Sequence, residues 1–184
     1  MQRRQNLGDR ISGFAARFGD ETVIAGEFRE KLAPGAFTRT LREKPDVVML
    51  LDHDSGRVLG RVSAGTLTLR EDRIGLWFSV DVDTSTPEGQ TALGTVERQD
   101  VKGCSFGFRV RAEEWQDGGD RLPLRIITDV DLHEITLTAF PAYATTSASL
   151  ARSNDTSASI ASTNAANAAR RRAEAAMRKR GISC

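Results

Sequence analysis

The chain has 184 residues, of which 39% are hydrophobic and 28% charged, and a formal net charge of +1. That is enough for one domain plus a tail, with the composition of a soluble globular protein. No stretch approaches the run of about 18 apolar residues that a membrane helix needs, the polar N-terminus lacks the apolar core of a signal peptide, and two cysteines, Cys104 and Cys184, are too few for a disulfide framework and fit a reducing cytoplasm.

In chain order, Arg10 to Phe18 reads as a strand, with Phe14 and Phe18 on one face and Ile11 out of phase with them. Gly19-Asp20-Glu21 is turn-like, and Thr22 to Phe28 resumes strand character. Pro34-Gly35 marks a turn. Ala36 to Glu43 is helical in composition, with Phe37 and Leu41 on one face, and Pro45 ends it. Val47 to Leu51 is continuously apolar and predicts a buried strand that delivers Asp52-His53-Asp54 into a loop. A histidine at that point is well placed to face a cleft. Leu59 to Val62 leads into a hairpin, Thr66 to Arg70 with Ile74 to Val82, around Glu71-Asp72-Arg73. Thr84-Ser85-Thr86-Pro87-Glu88 opens a helix that carries Ala92, Leu93 and Val96 inward and ends near Gln99.

The run Lys102 to Phe108 is the most informative stretch. As a strand it places Cys104, Phe106, Phe108 and Val110 on an apolar face, and Gly103, Ser105, Gly107 and Arg109 on the other. One hydroxyl between two glycines suits a nucleophile that another backbone must approach, and it equally suits a half-buried strand with a solvent-facing serine. Leu122 to Thr128 and Val130 to Phe140 read as two further strands, and Pro141-Ala142-Tyr143 as the close of the domain. About eight strands with one or two short helices predict a mainly β (α+β) domain, a small closed or barrel-like antiparallel sheet, over residues 1–150. Residues 151–184 are rich in Ser, Ala and Asn and carry seven basic against two acidic side chains, +5, which leaves −4 on the body. This basic tail has no apolar stripe and reads as disordered or at most marginally helical.

The chain has two histidines, His53 and His133. His53, Ser105 and Glu134 lie on three different elements and could converge as base, nucleophile and the group that orients the base. A serine hydroxyl attacks only when a neutral imidazole takes its proton, and a third group must fix that imidazole's tautomer. In a strand His133 and Glu134 face opposite ways. His133 shares parity with Ile135 and Leu137, expected in the core, whereas Glu134 shares it with Leu132, Thr136 and Thr138, so Glu134 is the preferred third member. Cys104 shares the face of Phe106 and Phe108 and reads as a core residue. A metal site from His53, Asp54 and His133 lacks paired ligand spacing, and no cofactor motif is found. Arg109 reads as a solvated face residue.

Five stretches together resemble a known family: Glu30 to Phe37, the His53-Asp54 turn with Leu59-Gly60-Arg61, Gly75-Leu76, Val101 to Phe108, and Leu132 to Ala142. They are similar to the HK97-type phage prohead proteases, capsid-maturation serine peptidases related in fold to the herpesvirus assemblins. The resemblance runs from roughly residue 8 to residue 145 and covers nearly all of the expected domain. It implies Ser105 as nucleophile, His53 as general base, and a third member between Leu132 and Thr138, where Glu134 matches the family's glutamate and His133 the assemblins' second histidine. It further implies action inside the assembling prohead in the host bacterial cytoplasm, on the major capsid protein and its scaffold segment, with self-cleavage and self-association. A membrane or nucleic-acid partner is not expected. The rival reading is a non-catalytic capsid-assembly or scaffold-binding module on the same β domain. A serine hydrolase for small esters is set aside as lacking the Gly-x-Ser-x-Gly elbow.

Overall fold

A computed structural model describes residues 9–43 and 45–151. They form ten strands and two helices: β1 (Arg10–Arg17), β2 (Thr22–Ile24), β3 (Phe28–Leu32), α1 (Thr38–Arg42), β4 (Val48–Leu51), β5 (Asp54–Arg61), β6 (Leu67–Glu71), β7 (Gly75–Asp81), α2 (Pro87–Glu97), β8 (Gly103–Gln116), β9 (Leu124–Thr138) and β10 (Ser147–Ala151). The mainly β class holds. The expected tail lies outside the described residues save Ala151.

The closed or barrel-like antiparallel sheet does not hold. There are two sheets, a four-stranded one in the order β10-β1-β7-β6 and a six-stranded one built on β9. Strand β9 has β8 antiparallel along one edge, from Gly103↔Thr138 to Gln116↔Leu124. Along its other edge lie two short strands in file, both parallel to it. β3 pairs with its first residues (Arg29↔Leu124) and β4 with its last (Val48↔Glu134). The turn at Pro34-Gly35 and helix α1 carry the chain from β3 to β4 without reversing it, so both strands run the same way. Leu122 to Thr128 and Val130 to Phe140, expected as two strands, are this one strand.

Two more differences are local. Thr22 to Phe28 is not one strand, because Ala25 and Gly26 take φ values of 51° and 75° and fold it into the β2–β3 hairpin. The chain also does not close at Tyr143, since β10 follows and pairs with β1.

The hairpin β6–β7 forms where expected, with Leu67 opposite Val80 and Leu69 opposite Phe78. In α2 the Thr86 hydroxyl accepts from the Gly89 N–H at 3.1 Å, with Pro87 in the first turn, and Ala92 and Val96 are buried.

β-Bulges shift the register at several points, and those in β1 and β9 bear on the sequence expectations. Ala15 is the extra residue of β1, between the Phe14 and Ala16 pairs, so Ala15 and Ala16 are both buried beside Ile11, while Ile11 and Phe14, three residues apart ahead of the bulge, face opposite ways by plain alternation. His133 is the extra residue of β9, between Gly107↔Glu134 and Phe108↔Leu132. Leu132 and Ile135 therefore both reach the core, 2% and 0% exposed, although an odd number of positions separates them. His133 itself is exposed. The expectations of His133 on the core side and Leu132 on the polar side are both corrected by this bulge.

Fully buried Ile11, Phe78 and Leu76 from one sheet meet Leu32, Met49, Ile135 and Leu137 from the other, with Phe37 at the start of α1. The Phe106 ring is edge-on to Phe37 at 5.9 Å and stacked on Phe108 at 4.9 Å and Tyr143 at 5.5 Å. On β9 just before the bulge, Arg39 of α1 forks onto Asp129 (2.8 Å) and Asp131 (2.6 Å) and donates to the Val130 carbonyl (3.0 Å). Arg111 also pairs with Asp131. The Arg39 hydrogen bond, then that of Arg111, hold the Asp131 carboxyl below the usual carboxylate range.

Candidate active site

His53 sits at the tip of the β4–β5 hairpin. Leu51 pairs with Asp54, so Asp52 and His53 are the two turn residues, with φ values of 56° and 58°. A two-residue hairpin turn of the primed type requires φ > 0 at both, and Asp and His tolerate it better than most non-glycine residues. Strand β9 holds this turn in place. The Asp52 N–H donates to the Leu137 carbonyl at 2.9 Å, the His53 N–H to Thr136 Oγ1 at 2.9 Å, and Thr138 Oγ1 to Asp52 Oδ1 at 3.0 Å. The turn's left-handed backbone is thus held at two N–H groups and its Asp52 side chain at a third point, which fixes where the imidazole starts from.

The imidazole meets Glu134, with Nδ1 2.7 Å from Oε1. The Glu134 side chain is 18% exposed and that of His53 48%, so the carboxylate is sheltered while the ring reaches solvent. Glu134 Oε2 is buried and has no hydrogen-bond partner among the described residues. Opposite Glu134 on β8 is Gly107, and a Cβ there would lie 2.7 Å from Glu134 Oε1 and 2.8 Å from its Cγ. Glu134 thus crosses β8 through the space a side chain at 107 would fill. Gly103 plays the same part for Pro141, whose Cγ would be 2.6 Å from a Cβ at that position. The sequence marked these glycines as openings for a substrate backbone, but both are occupied from within the fold.

Ser105 lies between them, directly opposite Thr136 and on the face that carries Glu134, two positions along β9. It is 9% exposed. No hydrogen bond joins Ser105 to His53 among the described residues. The structure thus brings His53 and Glu134 into contact and puts Ser105 on their face, next to the threonine that holds the His53 main chain. His133 takes no part in this grouping. Arg109, further along the same face of β8, is exposed.

Cys104 points the other way and is fully buried, and its N–H donates to Thr146 Oγ1 at 3.0 Å. Burial, and then the Glu134 charge, push its thiol well above the ordinary range, so it is not poised as a thiolate. Gly103 to Gly107 does spell Gly-x-Ser-x-Gly, contrary to the sequence reading, but all five residues lie inside β8 and not on a strand-to-helix turn, so the elbow geometry is absent. Among the described residues no three His, Cys, Asp or Glu side chains are grouped to hold a metal ion.

Thr136, Thr138 and Pro141 are parts of the site that the sequence did not single out. The two threonines were visible only as the polar parity of an alternating strand, and their bonds to the His53 turn depend on the parallel β4–β9 pairing, which periodicity does not reveal. Tyr143 secures the segment after β9 through a 2.6 Å hydrogen bond from its hydroxyl to Glu30. Burial, followed by that bond, pushes its phenol well up.

A family model described as caudovirus prohead serine protease matches residues 1–160. The chain belongs to that family. No curated protein matches it. Membership makes it a prohead serine protease by descent, with a role in capsid maturation inside the assembling prohead in the host cell and with capsid or scaffold proteins as its class of partner. The family implies a serine peptidase.

Proposed function

We propose that this prohead serine protease is an active endopeptidase with Ser105 as nucleophile, His53 as general base and Glu134 as the group that orients His53. The observation that carries the reading is the 2.7 Å contact of His53 Nδ1 with Glu134 Oε1 on the face that also presents Ser105. With Nδ1 engaged, Nε2 is left to take the Ser105 proton as Oγ attacks the scissile carbonyl, and the imidazolium so formed is stabilised by the carboxylate. His53 then returns the proton to the leaving amine, and a water activated the same way releases the acyl-enzyme. Catalytic hydrogen bonds are often long in a free enzyme and close in the substrate complex, which accommodates the absence of a Ser105–His53 bond here.

The substrate we assign is the scaffold or the scaffold-like propeptide of the major capsid protein, cut inside the prohead within the bacterial cytoplasm. Self-cleavage of the chain, in the Ser/Ala/Asn-rich stretch after residue 150, accompanies it. The domain of 1–150 acts and the basic tail of 151–184 is dispensable for its fold. Ser105→Ala co-expressed with the cognate capsid protein tests the core of this. Intact mass is expected to show no trimming, with the melting temperature of the variant unchanged. Normal trimming by the variant would rule out Ser105 as the nucleophile, and an absence of trimming by the wild type as well would leave the non-catalytic assembly module as the better reading.

A further inference from the structure

A groove of about 720 Å³ opens at the start of β8, walled by Lys102 and Gly103, by Phe140 and Pro141 after β9, and by Thr146 to Ser149. It adjoins the candidate nucleophile. Gly103 is two positions from Ser105 on the same face of β8, about 7 Å along the strand, and Pro141 packs flat on that glycine.

The polar side chains lining the groove are engaged elsewhere. Thr146 Oγ1 donates to the Tyr143 carbonyl at 3.0 Å and accepts from the Cys104 N–H. Ser147 Oγ accepts from the Phe14 N–H, Ser149 Oγ donates to the Ser12 carbonyl, and Gln99 Nε2 donates to the Val96 carbonyl. Among its side chains the groove offers a ligand chiefly apolar surface, with Phe140 at 92% exposed, and one ammonium. Among the described residues Lys102 is the only charged one in the lining, and it makes no ion pair with any of them.

We propose that this groove receives the substrate polypeptide on one side of the scissile bond and selects an apolar side chain accompanied, within a few residues, by a carboxylate that pairs with Lys102. The inference rests on Ser105 being the nucleophile. Its volume lies in the range of sites that enclose several side-chain-sized groups, and the exposed Phe140 ring is the kind of anchor on which binding energy concentrates. A single cation in an otherwise apolar lining favours an acidic over a basic residue at that distance from the cut.

The test uses the full chain, a fluorophosphonate probe and a proteome-derived peptide library, with cut sites read by mass spectrometry of the new termini. Wild-type protein is expected to label at Ser105 and to cut next to apolar residues with Asp or Glu enriched within four positions or so. Lys102→Glu should turn that enrichment towards Lys and Arg, by about fivefold at each, the size of an exposed ion pair. Phe140→Asp should remove the apolar preference. Labelling at Ser105 with no acidic enrichment, or with a cut pattern that Lys102→Glu leaves unchanged, overturns the groove and leaves the peptidase standing. No labelling and no cutting by wild-type protein overturns the serine-peptidase reading, and the groove proposal falls with it.

Discussion

Glu134 and His133 are neighbours in sequence, and the bulge separates their fates. Glu134 keeps its register opposite Gly107 and turns to His53, while His133 drops out of the ladder and is exposed. Glu134→Gln should lower kcat by about 10³-fold or more, because the lost charge matters mainly when His53 is an imidazolium. KM should stay near that of the wild type. His133→Ala should change neither rate nor melting temperature appreciably, since an exposed side chain with no packing role costs within about 0.5 kcal/mol. Steady-state kinetics on a quenched peptide decide the matter, and a dead His133→Ala with an active Glu134→Gln would transfer the third role to His133. Gly107→Ala is a finer probe. Its Cβ would stand within 2.7 Å of Glu134 Oε1, so the carboxylate must move, and a displacement of about 1 Å at a positioning group can cost about 10²-fold in rate. A Gly107→Ala protein of normal activity would show that the position of Glu134 is not critical.

At the scale of elements, the units legible in the sequence are those whose pairing is local. The β6–β7 hairpin shows matched alternation about a polar turn, and α2 shows a hydroxyl cap, a proline and an inward stripe, so both were read within a residue or two. The parallel seating of β3 and β4 on β9 was not legible, because nothing in a strand's own pattern records the direction of its neighbour. Arg39 holds that seating together, through α1, just upstream of the bulge that presents Glu134. Its partner Asp131 has a depressed carboxyl pKa in the fold. A depressed acid contributes stability that is fully present above its unfolded value, about 4, and is lost as pH falls through the lower folded value. Melting temperatures of wild type and Asp131→Asn should therefore differ at pH 6 and converge progressively below about pH 4. A gap of constant size from pH 6 to pH 2.5 would show that the Arg39–Asp131 pair is not the group that titrates.

For the whole molecule, the face assignment of β8 was legible and the architecture around it was not. Strict alternation from Gly103 to Val110 told core from site, whereas the choice between a closed barrel and two sheets depends on long-range pairings that a one-dimensional pattern leaves open. The triad candidates were legible because histidine is rare in this chain, while Thr136 and Thr138, which anchor the His53 turn, are ordinary strand residues until the pairing is known. What joins the two sheets under the site is aromatic. Phe18, just after β1, packs at 6.2 Å on Phe37, Phe37 meets Phe106 edge-on, and Phe106 stacks on Tyr143, which is fastened to Glu30 of β3. Phe106, 6% exposed, is thus the central ring and the direct neighbour of Ser105. Phe106→Ala should cost about 3–5 kcal/mol through lost burial and the cavity left behind, a fall of about 10 °C in melting temperature for a domain of this size. Phe106→Leu, which refills most of the volume, should recover more than half of that loss. Because the opposite face of the same residues carries Ser105, the folded fraction of Phe106→Ala below its transition should also lose activity in step with the loosening of β8. Thermal melts with activity measured 15 °C or so below each midpoint check both parts. An unchanged midpoint for Phe106→Ala would mean that the ring is not the keystone between the sheets and that the apolar face of β8 is wrongly assigned.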